Sequence, residues 1–316
     1  MGIFEKLYTL IIFLAVMMGI GLGQIEWIRT NAELLIVPLL VAMLYITFLQ
    51  IPFEEVKKAF KNVRFTYTSI IINFVWVPAL AWLLAMVFLG DNPALYIGFI
   101  MLMVTPCTDW YLIFTGIAKG NVALSAAILP LNLFLQVLLL PVYLLVFGGT
   151  TGVIEPVYLI ESILIVLLIP LVLALLTKKA IGNKEAGEKF LSKVSALPIL
   201  FLSLAIVAMF ASQGQLLLDN LELIWKITIP LLLFFVINFI VTQKAGQVMK
   251  FSLSERTSLS LTTLARNSPI ALAIAMTAFP DKPLIAITLV IGPLLELPIL
   301  AVISQVLLVF HKRTTA

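Results

Sequence analysis

Apolar residues run almost unbroken through ten stretches of the chain. They lie near Leu7–Gly23, Leu34–Phe53, Ile70–Gly90, Leu95–Ile117, Ala123–Phe147, Leu159–Leu176, Leu197–Ala211, Ile227–Val241, Leu259–Ala278 and Leu284–Phe310. Most reach the roughly 17–25 residues that a helix needs to cross a bilayer. The runs lack both the strict alternation of a half-buried strand and the one-sided period of a soluble helix. The pattern predicts an all-α integral membrane protein with ten transmembrane helices.

Polar segments divide the ten. The longest is TKKAIGNKEAGEKFLSK at 177–193, and GGTTG at 148–152 precedes the sixth run. Five runs on each side give two halves, 1–150 and 151–316, within one membrane domain. An odd number of crossings makes the second half enter the membrane from the opposite face, the geometry of inverted repeats. The fourth and ninth runs match in pattern. Each carries a polar cluster mid-run, TPCTDW in one and LARNSP in the other, and each is followed by a turn and a proline-rich run expected to be broken, ILPLNLFLQVLLLPVY and IGPLLELPIL.

Composition narrows the class. The chain is 62% hydrophobic and 11% charged, where soluble domains carry about 25% charged residues. Sixteen of the 20 Lys and Arg fall in loops on one side, Arg29, Lys226 and Lys282 on the other, and Arg266 inside a run. Cations in short loops mark the cytoplasmic face, so both termini are expected there, in a multi-pass protein of the plasma membrane. The positive charge forms no basic arm or aromatic-interleaved patch, which sets nucleic acid aside. Glu5 offsets Lys6 in the short charged start, so the first run is expected to be retained rather than cleaved, with Gly19, Gly21 and Gly23 serving close helix packing.

The candidate chemistry lies where charge enters the apolar runs. Pro106 and Pro269 should interrupt their helices, and exposed backbone at membrane depth survives only inside protein or along a wet cavity. In secondary transporters such breaks aim half-helix ends at substrate and coupling ion. Asp109, Arg266 and Glu296 are the charged groups placed unambiguously within runs, away from their ends, each costing about 2.5–3.5 kcal/mol at the membrane centre. Asp109 and Arg266 occupy matching breaks. They read either as an ion pair locking the crossing, or as a built-in cation with Asp109 balancing its charge or exchanging a proton as a coupling group. Glu296, between Pro293 and Pro298, is expected near irregular backbone, where a carboxyl can exchange a proton as a cavity opens. Thr105, Thr108, Asn267 and Ser268 complete the clusters. Asn132 and Gln136, four residues apart on one helix face, are supporting amides, as are Asn73 and Asn238.

Cys107 is the one cysteine and His311 the one histidine. No disulfide, zinc site or Cys–His nucleophile can be assembled, so neither an enzyme nor a bound metal or cofactor is expected. A soft thiol after a helix-breaking proline suits a thiophilic solute instead.

At these residues the chain resembles the bile acid:sodium symporter superfamily, ten-span carriers with broken, crossing fourth and ninth helices. TPCTDWYLIFTGIAKGN and ARNSPIALAIA carry the resemblance. Within it, Pro106-Cys107-Thr108 and GPLLELP at 292–298 are similar to the arsenite permeases, in which a cysteine and a glutamate form the functional pair. The resemblance implies that Cys107 touches trivalent arsenic and Glu296 supports proton-coupled extrusion. The sodium-coupled branch is similar in Asn267 and Ser268. Its carboxylate shortly before that pair, however, is replaced here by TTLA and Arg266.

The expectation is a secondary carrier working by alternating access on an inorganic oxyacid or other small molecule, with H+ or Na+ as coupling ion and an arsenite-type efflux function. The alternative is a symporter for a small organic anion drawn to Arg266 and the half-helix N-termini.

Overall fold

The computed structural model describes residues 3–51, 62–108, 110–149, 154–181, 191, 193–194, 196–219 and 222–315. Asp109, residues 150–152 of the glycine-rich segment and 182–190 of the long polar one lie outside the described residues.

Inside their ends, the described residues of the apolar runs fall on helix, except for irregular stretches at 105–108 and 265–267. In chain order the helices are α1 (Ile3–Leu22), the short α2 (Glu26–Asn31), α3 (Glu33–Gln50), α4 (Val63–Leu89), α5 (Pro93–Val104), α6 (Trp110–Ile117) and α7 (Val122–Gly148). They continue with α8 (Pro156–Ile181), α9 (Leu197–Leu218), α10 (Glu222–Val248), α11 (Leu253–Leu264), α12 (Ser268–Ala278) and α13 (Pro283–Thr315). Seven of the described helices are long and apolar enough to cross a membrane; α5 and α12 are shorter apolar segments. Asparagine starts four of the described helices: Asn62, Asn92, Asn121 and Asn267 each accept from a backbone N–H in the first turn of α4, α5, α7 and α12. That contact satisfies a donor the helix cannot. Ser252 and Glu255 form a reciprocal capping box on α11.

The contacts sort the helices into two groups. α1, α3, α8 and α9 pack together, while α4, α5, α7, α10, α11 and α13 surround the polar clusters, with α12 touching both groups. Packing of α1 on α9 rests on two of the three glycines near its end. A Cβ on Gly19 would stand 2.6 Å from the Val207 carbonyl, and one on Gly23 2.6 Å from that of Ala211; around Gly21 there is open space. Small residues four apart let two backbones approach closely. Gly19→Leu should therefore force α1 off α9, at about 1–3 kcal/mol for overpacking, and lower the melting temperature in detergent, whereas Gly21→Ala should leave it unchanged.

Two expectations are corrected. The fifth and tenth runs are unbroken: α7 passes through Pro130 and Pro141, and α13 through Pro293 and Pro298, as continuous helices. Neighbouring helices and local adjustment absorb intramembrane prolines. A visible case is α4, whose Ile72–Trp76 turn is π-helical just before Pro78. Pro78 has no N–H for the Phe74 carbonyl, and Tyr143 of α7 donates its hydroxyl there instead, at 2.6 Å.

Candidate functional site at the helix crossing

Two irregular stretches meet inside the protein. α5 stops at Val104 and α6 begins at Trp110; α11 stops at Leu264 and α12 begins at Ser268. Between these ends Pro106 faces Arg266 in a one-step antiparallel bridge. The Asn267 N–H donates to the Thr105 carbonyl at 2.7 Å, and the Cys107 N–H to the Ala265 carbonyl at 3.0 Å. Backbone that would otherwise lie bare at membrane depth is satisfied by its counterpart. Pro269 occupies the first turn of α12, where its missing N–H costs nothing; the interruption itself falls one step earlier, at Ala265–Asn267.

Side chains close the joint. The Thr105 hydroxyl donates back to the Met101 carbonyl at 2.9 Å. Asn267 accepts from the Ile270 N–H through its amide oxygen and donates from its amide nitrogen to the Thr108 hydroxyl at 3.0 Å. Ser268 donates to the Leu289 carbonyl on α13. Cys107 is fully buried, and Thr108, Asn267 and Ser268 are at most 5% exposed.

Arg266 is buried at 2% exposure. Its Nε donates to the Leu264 carbonyl at 3.1 Å, Nη1 to the Met103 carbonyl at 2.8 Å, and Nη2 both to the Asn73 amide oxygen at 3.1 Å and to the Thr263 carbonyl. The Phe234 ring lies 5.6 Å from the guanidinium carbon, within cation–π range. Three of these acceptors are carbonyls at the C-terminal ends of α5 and α11, where helix dipoles concentrate negative charge. The π-helical turn of α4 carries Asn73, the fourth.

Glu296 lies within the unbroken α13, not beside irregular backbone of its own. Its carboxylate instead reaches across to accept the Arg266 backbone N–H at 2.7 Å, with the residue 3% exposed. That link spans 30 residues of sequence, and nothing in GPLLELP foretells it. Asn73 was legible as a polar residue in an apolar run, but its role beside the guanidinium, 193 residues away in sequence, was not. Asn132 and Gln136 lie on α7, fully buried. Among the described residues no group of three or more His, Cys, Asp or Glu could hold a metal ion.

Residues 37–220 match the Sodium Bile acid symporter family. The chain belongs to that family. The match takes in the first broken helix and ends before the second. Among relatives of this symporter-family protein, the arsenical-resistance protein Acr3 of Corynebacterium glutamicum is 28% identical over 276 residues, covering 83% of this chain and 74% of that protein. An uncharacterized transporter of Synechocystis is 25% identical over 341 residues, covering 97% and 88%. The arsenical-resistance protein Acr3 of Alkaliphilus metalliredigens is 21% identical, covering 96% and 92%. The protein is a membrane transporter of the bile acid:sodium symporter family.

Proposed function

We propose that this transporter exports trivalent arsenic or antimony by proton-coupled alternating access, with ten spans arranged as two inverted five-helix repeats. The observation that carries the reading is the crossing itself: Cys107 is hydrogen-bonded to Ala265, next to the residue whose backbone N–H holds the Glu296 carboxylate. A thiophilic ligand and a proton-exchanging group thus share one joint. Relatives named for arsenical resistance support the substrate class.

In this scheme the Cys107 thiol displaces one hydroxyl of undissociated arsenous acid, forming an As–S bond and releasing water. The chain has one cysteine, so the attachment is single and readily reversed, as a carrier requires. Thr108 and Asn267, already bonded to each other, lie beside it to receive the remaining hydroxyls. Protonation of Glu296 would weaken its charge-assisted hold on the Arg266 N–H and loosen the crossing. The group α1, α3, α8 and α9 then shifts against the other helices. Arg266, engaged by four protein oxygens, has little left to offer an anion, which favours this reading over organic-anion symport.

Cys107→Ser tests it. Arsenite uptake into everted membrane vesicles, the equivalent of export from the cell, should fall at least tenfold while the melting temperature of purified protein stays near the parent's. Unchanged arsenite uptake would remove the thiol from the mechanism.

A further inference from the structure

Along α7, Ser125, Asn132, Gln136 and Tyr143 follow one another at steps of seven, four and seven residues. At about 100° per residue these steps return to one stripe of the helix. The stripe extends over about 27 Å at 1.5 Å per residue, close to the thickness of the bilayer's hydrocarbon core. The helix is otherwise apolar and contains no Asp, Glu, Lys or Arg.

The two amides in the middle differ from the other buried amides of the protein. Asn73 accepts from Arg266, and Asn238 donates to the Thr263 carbonyl at 2.6 Å, so each ties two helices together. Asn132 and Gln136 tie nothing. Both are fully buried, and neither the oxygen nor the nitrogen of either finds a hydrogen-bond partner among the described residues; the Ser125 hydroxyl finds none either. Buried polar groups without partners are expensive, and leucine of similar size would fill the same space without penalty. Their surroundings are neutral as well. α7 packs against α5, α6, α11, the start of α8 and the π-helical turn of α4, and the charged residues of those segments are Glu255 and Arg256 in the first turn of α11 and Glu161 of α8, whose side chain is exposed.

We propose that Asn132 and Gln136 form a binding station for an uncharged, hydroxyl-bearing solute, which the crossing at Cys107 receives or releases. Each amide presents both a donor and an acceptor, which suits a molecule whose hydroxyls do the same and offers an ion no countercharge. The proposal rests on the arsenite reading above only for the identity of the cargo: undissociated arsenous acid is such a solute. It assigns to α7 the recognition of the neutral form, separate from the soft-ligand contact at the thiol.

The test compares Asn132→Leu and Gln136→Leu with the conservative Asn132→Gln and Gln136→Asn. The readouts are melting temperature in detergent and exchange of radiolabelled arsenite by proteoliposomes at neutral pH. The leucine variants should melt a few degrees higher than the parent yet exchange arsenite at least tenfold more slowly, with the conservative variants recovering part of the rate. Leucine variants that melt lower, or that exchange at the parental rate, overturn the station. Should the parent protein exchange no arsenite at all, the substrate reading fails by itself. The station is then decided by melting temperature, and leucine variants no more stable than the parent refute it.

Discussion

Arg266→Met is expected to be the most damaging single substitution in the protein. It removes the side-chain donors of the Met103 and Leu264 carbonyls and one of the two donors to the Thr263 carbonyl, which keeps Asn238, and each buried acceptor left bare costs about 1–3 kcal/mol. The variant should lose monodispersity in mild detergent and melt far below the parent. Arg266→Lys should fall between, because an ammonium cannot reproduce the planar fork that reaches three carbonyls and Asn73 at once. The same geometry makes a second forecast. Half-helix carbonyl ends hold the coupling sodium in many carriers, and here the guanidinium of Arg266 is bonded to such ends. Replacing sodium by choline should therefore leave both the melting temperature and substrate exchange of the parent protein unchanged. Selective stabilisation by sodium would show that a cation binds elsewhere.

Glu296→Gln should produce the other large effect, and a different one. Glutamine keeps an oxygen to accept the Arg266 N–H, so the crossing and the fold should persist. What it cannot do is change charge. Export driven by an imposed pH gradient should drop at least tenfold, while exchange of labelled for unlabelled substrate, which needs no net proton movement, should continue. A variant that still responds to the pH gradient would exclude Glu296 as the proton carrier. One that loses exchange and stability together would show a purely structural carboxylate.

The helical membrane architecture and the location of the polar clusters were readable in the chain because lipid imposes long apolar runs and makes each exception conspicuous. Cys107, Thr108, Arg266, Asn267 and Glu296 stood out for that reason. Their partnerships did not, because they depend on contacts between distant segments. Prolines misled where continuity was concerned: Pro130, Pro141, Pro293 and Pro298 sit inside intact helices, since the local rule for proline says nothing of the neighbours that compensate. The Tyr143 hydroxyl on the Phe74 carbonyl is one such compensation, from 69 residues away. The glycines near the end of α1 show the same limit. All three suit tight packing, yet only the phase of α1 against α9 selects Gly19 and Gly23 over Gly21.

The joint between the broken helices has one more consequence. Two of its links, Asn267 to Thr105 and Cys107 to Ala265, run from main chain to main chain, and any amino acid other than proline at the donor positions could supply them. A lineage could therefore retool the side chains at 107, 108 and 267 for new cargo, at the loss of the Asn267–Thr108 bond, while inheriting this main-chain pairing, so that evolutionary drift in what is carried need not disturb the backbone frame of the carrier.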